Sequence, residues 1–537
     1  VSPDSVDRVV AGWLLPTLVA LPLVAALGLL GLRRLSERVA ALVGVVVASV
    51  TAILAVAGAL AAAPFDAPGF GVESDHRWIP ALGVRMHLGL DGVSVPLVLL
   101  TALLGVLVCW HLVLVRPPTG RINALVACVL AVEGGALATF TALDLLLFFV
   151  AFEVVLVPMW FVIAVWGDDT QPERPAARGG VLPGGPAARR DAANRFILFT
   201  ALGSAVMLLG LLLVAMRTGT TDLVALSAQR GAGMGGTVQL VAAALVVVGL
   251  AVKAPMFPLH TWLPPAHTIA PTVGSVLLAG VLLKMGTYGL ARIAVPVLPD
   301  GMRQLAPTLG LFGVLGVLWG GLACLVERDL KRLVAFSSVA HMGFVLLGIA
   351  SMTPQGMQGA LFANIAHGLI TGVLFLVAGA VKDRHHTADL EVLGSGLRDR
   401  LPRLGWLLAF GAVAGLGLPG LAGFWGEILA VVGAWRASAL GELARPLAVL
   451  ALVGTVIAAA YLLRVLRLFW HGPRDDRWPA AVGDPPSAPS AGIPAGGDGA
   501  VIRDVGGPEL AVVAPLVVAT VALGLLPWLL LEITGPV

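Results

Sequence analysis

Apolar runs of about 20 residues follow one another along nearly the whole chain, each long enough to cross the hydrocarbon core of a bilayer as a helix. Within that core every backbone N–H and C=O must be satisfied inside the segment, so such a chain folds as a bundle of membrane helices. We read about fourteen spans, near 10–32, 38–61, 92–115, 122–142, 144–166, 193–216, 237–263, 272–295, 305–325, 332–350, 358–381, 404–435, 446–470 and 510–532. The first run lacks a basic leader and a clear cleavage site, and reads as a span rather than a signal peptide. Residues 64–90 and 167–192 read as polar loops, 218–236 as a segment along the membrane surface, and 473–508 as a Pro/Gly/Ser-rich linker. The fold class is therefore an all-α polytopic membrane protein.

Of 537 residues only 12% are charged, and the net charge of +3 is spread over the loops, so no basic stripe for nucleic acid exists. Cys109, Cys128 and Cys324 stand singly in apolar runs and suit no metal or iron–sulfur cluster. The arginines are unevenly placed. Loops after odd-numbered spans carry clusters such as Arg33, Arg34 and Arg38, then Arg189, Arg190 and Arg195, then Arg398, Arg400 and Arg403. The opposite face has only scattered ones, among them Arg77, Arg85 and Arg303. Positive loops stay in the cytoplasm, so the chain is expected in the cell's inner (plasma) membrane with both termini outward.

Against this background the stretch Gly249–His267, GLAVKAPMFPLHTWLPPAH, is anomalous. Lys253 interrupts an apolar run, Pro255 and Pro258 break the helix directly after it, and His260 follows. A lysine at membrane depth is a functional-site hypothesis, and a proline-broken span frees backbone groups that only protein or a water-lined cavity can satisfy. Together they predict a buried, hydrated site for a small cation, most simply a proton. The chain is arginine-biased: among 34 Lys plus Arg only Lys253, Lys284, Lys331 and Lys382 are lysine. Arginine cannot release its proton in a protein, whereas a desolvated lysine can.

Further ionisable groups lie near mid-span. Glu153 is nine residues past Asp144, about 14 Å along a helix. Lys284, His341 and His367 are similarly central, and Glu427 follows a second break at Pro419. Carboxylate, lysine and histidine at one depth can exchange protons through water, and Glu153 is expected to form a charge pair with Lys253. Glu133, also inside a span, reads mainly as packing. A carboxylate span with a broken lysine span in one half, and a broken glutamate span five spans later in the other, predicts two inverted five-helix repeats, spans 4–8 and 9–13. The expected organisation is 1–115 (spans 1–3), 116–300 (first repeat), 301–472 (second repeat), 473–508 (linker) and 509–537 (last span).

From about residue 75 to 470 the chain resembles the antiporter-like membrane subunits of proton-pumping NADH:quinone oxidoreductase, complex I. The resemblance is carried by WIPALGVRMHLGLDGVSVPLVLLT at 78–101, LDLLLFFVAFEVVLVPMWFVIAVWG at 143–167 and VKAPMFPLHTWLPPAHTIAPTVGSVLLAGVLLKMGTYGLAR at 252–292. DLKRLVAFSSVAHMG at 329–343, NIAHGLITGVLFLVAG at 364–379 and DRHHTADL at 383–390 complete it. It implies that Glu153 and Lys253 are the fifth-span glutamate and broken seventh-span lysine, that Lys284 passes protons inward, that His341 and His367 lie on the connecting axis, and that Glu427 belongs to the outlet half. Glutamate at Glu427 is similar to the M-type members; the L and N types, and the D-type member of multisubunit cation/proton antiporters, usually have lysine there. The resemblance implies partners among the other complex I membrane subunits, notably L-type and N-type neighbours. It implies no cofactor in this chain, with flavin, iron–sulfur clusters and quinone in partner subunits. The alternatives are the D-type member of a cation/proton antiporter and a structural spacer of the membrane arm that moves no ions.

Overall fold

The computed structural model of the protein describes residues 3–535 apart from 33–34, 66–68, 117–119, 170–173, 176–180, 183, 386 and 472–502. Among the described residues 13 helices are long and apolar enough to cross a membrane. The twelfth crossing is made of two shorter helices, Pro402–Gly415 and Ala422–Trp435, with Pro419 between them. The all-α, polytopic architecture is the one the apolar runs predict.

The bundle is layered around its eighth and eleventh spans. Thr272–Val297 and Pro354–His385 are buried along the whole of their apolar windows, whereas Gly12–Gly31 and Gly507–Leu525 at the rim are only 28% buried. Outer spans show Leu27, Leu60, Leu202 and Val456 on their surfaces, as a lipid-facing shell would. Polar groups on the two central spans are thus walled off by protein. Small residues let the central helices approach: a Cβ at Gly426 would lie 2.5 Å from Ala363 Cα, and one at Gly359 2.4 Å from Ala430 N.

An inverted relation between the halves shows at the helix starts. Asp144 and Asp222 form an antiparallel β-bridge, and Asp329 and Asp389 form another. In each, the backbone N–H of the following leucine (Leu145, Leu223, Leu330, Leu390) donates across the bridge at 2.8 Å. All four aspartates cap the helix that follows through their own carboxylates. Asp144 opens the fifth span and Asp329 the tenth, so the two bridges lie on opposite faces of the bundle, as an inverted pair requires.

Two loop expectations, at 64–90 and 167–192, are revised. The stretch 64–90 holds a hairpin, Val72–Ile79 with Val84–Leu90, turned at the left-handed Gly83. Its strands are too charged to show clean alternation; they are held instead by docking, with Leu88 bridged to Ala142 and His87 between Asp222 and Glu73. The sixth span, Gly185–Thr218, begins inside the loop read at 167–192, because helix outlasts the apolar window that hydropathy detects. Within 218–236, Leu223–Gln229 is a short helix. The linker read at 473–508 lies almost wholly outside the described residues.

Candidate functional site

Asp144 starts the helix Leu145–Val154, which carries Glu153 in its last turn. One carboxylate oxygen of Glu153, Oε1, is buried without a partner among the described residues. The helix Gly236–Lys253 ends on Lys253 itself. Pro255 and Pro258 cannot donate to a preceding turn, so the chain unwinds until Leu263–Ile269. The break is satisfied from within: the Trp262 indole Nε1 donates to the Val252 carbonyl at 2.9 Å. His260 lies in the same break, buried, its ring stacked 5.6 Å from that of Phe257.

Lys253 is 2% exposed, and its buried ammonium has no hydrogen-bond partner among the described residues. It sits 4.6 Å above the centroid of the Phe152 ring. The expected direct Glu153–Lys253 ion pair is therefore not formed. Consecutive helix residues point about 100° apart, and Phe152 rather than Glu153 occupies the face toward the lysine. Glu153 follows Phe152 directly in the chain, so its carboxylate flanks the ring that meets the ammonium without itself making the contact.

The second half of the site is continuous. The eighth span takes π turns at Leu278–Leu282 and Leu290–Ala294, on either side of Lys284. Such turns are rare inside α-helices and are frequent at functional sites. The fully buried Lys284 donates to the Ala279 carbonyl and lies 2.6 Å from His367 Nδ1. The ring of His367 is 5.9 Å from that of His341, centroid to centroid, and His341 Nδ1 is 3.0 Å from Glu427 Oε1. His341, His367, Ser337, Thr371 and Glu427 line a cavity of about 20 Å³, enough for one water. Thr287 and Asn364 tie the two central spans together beside it, Oγ1 to Oδ1 at 2.9 Å.

The structure thus joins Lys284, His367, His341 and Glu427 in one line, with Pro419 placed at the broken twelfth span. It does not join Lys253 to Lys284 by a hydrogen bond among the described residues. The link there is packing: a Cβ on Gly286 would meet Ala254 N and Leu250 O, both at 2.7 Å. Glu133 is fully buried and both its oxygens are unpartnered among the described residues. Nothing along the chain signals Phe152, or that Lys331 and Lys382, two of its four lysines, come together with Asp168 from segments remote in sequence.

Residues 184–458 match a family described as NADH:quinone oxidoreductase/Mrp antiporter, TM. The chain is 34% identical over 545 residues to NADH-quinone oxidoreductase subunit M of Rhodobacter capsulatus, covering 97% of this chain and 95% of the relative. A chain of respiratory complex I from Thermus thermophilus superimposes with a TM-score of 0.79 at 29% identity, over 97% of both chains. A chain of the Mrp complex from Dietzia superimposes with 0.80 at 25% identity, over 97% of this chain and 96% of that one.

Proposed function

Because the chain belongs to the NADH:quinone oxidoreductase/Mrp antiporter family of membrane subunits, we propose that protons cross it by way of Lys253, Lys284, His367, His341 and Glu427, under the control of Glu153. The chain is an antiporter-like subunit of proton-translocating NADH:quinone oxidoreductase. The unbroken line from Lys284 through both histidines to Glu427, within hydrogen-bond or one-water reach at each step, is the observation that carries the path.

Each group has a distinct task. Lys253 loads a proton at the break of its helix, where unwound backbone and His260 adjoin it. Glu153 favours the charged ammonium while its carboxylate is ionised; a change in its charge or distance releases the proton toward Lys284. Imidazole accepts at one nitrogen and donates at the other, so His367 and His341 carry the proton on. Glu427 receives it at the break of the twelfth span. Reduction of quinone takes place elsewhere in the complex, so the drive reaches this chain as charge or movement passed between membrane subunits. We assign L-type and N-type antiporter-like subunits as its neighbours. The repeats 116–300 and 301–472 supply the two half-sites. The arginine-rich face is assigned to the cytoplasm and both termini to the outside.

The test is Lys253→Arg and Glu153→Gln in the assembled complex, with proton uptake into inverted vesicles measured per NADH oxidised. Arginine keeps the charge over Phe152 but cannot release the proton; uptake should fall about tenfold or more, one such factor being about 1.4 kcal/mol of barrier, with assembly intact. Wild-type uptake by assembled Lys253→Arg refutes the path.

A further inference from the structure

Lys284 and His367 meet across the eighth and eleventh spans, and these two spans run antiparallel. A cavity of about 400 Å³ on the arginine-rich face is lined by Thr272 from the start of one and by Lys382 from the end of the other. Thr287 stands three residues beyond Lys284, and Asn364 three residues before His367. At 1.5 Å per residue, each lies about 4.5 Å further from that face than the proton-carrying couple. Both are buried, and Thr287 Oγ1 is 2.9 Å from Asn364 Oδ1. The same register returns twelve residues toward the cavity, where a Cβ on Gly379 would collide with the Thr272 side chain. The couple is thus bracketed by a packing contact on one side and a hydrogen bond on the other.

The turn that bears Lys284 needs such a bracket. Leu283–Gly289, which holds both Lys284 and Thr287, is an α-helical stretch of seven residues between two π turns. A π turn closes i to i+5 rather than i to i+4, so it adds one residue to the ladder, and one residue is about 100° of rotation. The helix alone therefore fixes the aim of Lys284 weakly. Its ammonium donates to the Ala279 carbonyl, but that acceptor belongs to the π turn itself. The 2.6 Å contact with His367 Nδ1 cannot hold the aim either, because donor and acceptor exchange there each time the proton moves. Thr287 and Asn364 carry no charge and do not titrate, so their bond persists whichever of Lys284 and His367 is protonated. Thr287 Oγ1 also lies 3.1 Å from the Lys284 carbonyl, which ties the hydroxyl to the turn that bears the lysine.

We infer that Thr287 and Asn364 are positioning residues for proton transfer. The hydrogen bond between them sets the rotation and register of the Lys284 turn against the eleventh span, and so keeps the ammonium at His367 Nδ1. The inference rests on the proton path proposed above. Neither residue takes up or releases a proton, and the path by way of Lys253 is unchanged.

The test separates hydroxyl from shape, by proton uptake into inverted vesicles normalised to assembled complex. Thr287→Val keeps the shape and loses the donor; Thr287→Ser keeps the donor and loses a methyl. A positioning bond predicts uptake down about tenfold in Thr287→Val, the scale of a displacement of under about 1 Å, and uptake close to wild type in Thr287→Ser. Packing alone predicts the reverse order. Asn364→Leu keeps much of the volume and leaves Thr287 bonded to the Lys284 carbonyl; it should match Thr287→Val, and it decides the matter if Thr287→Val does not assemble. The double variant should lose no more than either single one, since the same bond is broken in all three. Wild-type uptake by assembled Thr287→Val or Asn364→Leu, or a tenfold loss in assembled Thr287→Ser, overturns the assignment. Lys253→Arg run in parallel separates the two readings: loss there with full uptake in Thr287→Val sinks the positioning pair alone, and full uptake in Lys253→Arg sinks the path beneath it.

Discussion

Replacing Gly286 by alanine tests whether the spacing between the two lysine-bearing elements matters to transfer. A Cβ at this position falls 2.7 Å from both Ala254 N and Leu250 O. Both are backbone atoms, so no rotamer change can make room. Non-bonded heavy atoms settle at roughly 3.5 Å or more, so the end of the seventh span must withdraw by about 0.8 Å. Lys253 immediately precedes Ala254, and Lys284 lies half a turn before Gly286, so the withdrawal lengthens the step between the ammonium groups. The overpacking should cost about 1–3 kcal/mol of stability, too little to prevent assembly in a bundle of this size. Displacements of about 1 Å can slow a positioned transfer by up to 100-fold; a tenfold loss of proton uptake at unchanged assembly is expected. Gly289→Ala is the matched control. Its Cβ meets Leu250 Cδ2 and Cδ1 at 2.6 and 3.0 Å and Phe148 Cζ at 3.1 Å, side-chain atoms that can give without a shift of backbone, so uptake should stay within about twofold of wild type, the scale of a fraction of a kcal/mol. Uptake in inverted vesicles, normalised to assembled complex, is the assay. Equal activity of the two variants, or full activity in Gly286→Ala, refutes the reasoning.

Glu427→Gln preserves a hydrogen bond to His341 but cannot bind and release a proton; uptake should fall about tenfold or more while assembly holds, measured as above. Asp91→Asn should destabilise the assembled chain by about 1–3 kcal/mol, because the half-buried Arg292 loses its counter-charge and keeps only the Tyr288 hydroxyl, and thermal inactivation should show it. Burial would raise the Asp91 carboxyl, but the adjacent Arg292 charge and hydrogen bond outweigh it and hold the group below the usual range. A depressed carboxyl contributes its full stability above about pH 4 and loses it only as pH falls further, so the wild-type advantage over Asp91→Asn should be flat from pH 5 upward and vanish in stronger acid. For sidedness, a cysteine at Gly184 should resist an impermeant thiol reagent in intact cells and react in inverted vesicles.

What is legible in the sequence is what is anomalous along one dimension. Lys253, Lys284 and Glu427 announce themselves as charges inside apolar runs, and Pro255, Pro258 and Pro419 as breaks, because the membrane penalises both wherever they occur. Distances between spans are not written that way. Glu153 and Lys253 sit at matching depth, yet a rotation of one residue along a helix puts Phe152 at the ammonium and leaves the carboxylate to act at range. The π turns around Lys284 have no local signature either; they follow from how the eighth span packs against its neighbours.

Lys382 and Asp168 lie 214 residues apart, and read singly each is an ordinary loop charge near a span end. His267 follows Pro264 and Pro265 in a stretch that reads as the tail of a broken span, so its stacking on Phe375 and the hydrogen bond its carbonyl accepts from Ser275 emerge only when the seventh, eighth and eleventh spans are brought together. The cavity on the arginine-rich face likewise gathers residues from spans far apart in the chain, among them His111, Asp168, Thr272, Lys331 and Lys382. Lys253 and His267 flank one break, the unwound stretch from Ala254 to Trp262, whereas Lys284 stands in a fully buried helix; the contrast is set by Pro255 and Pro258, which deny the seventh span the donors a continuous helix needs.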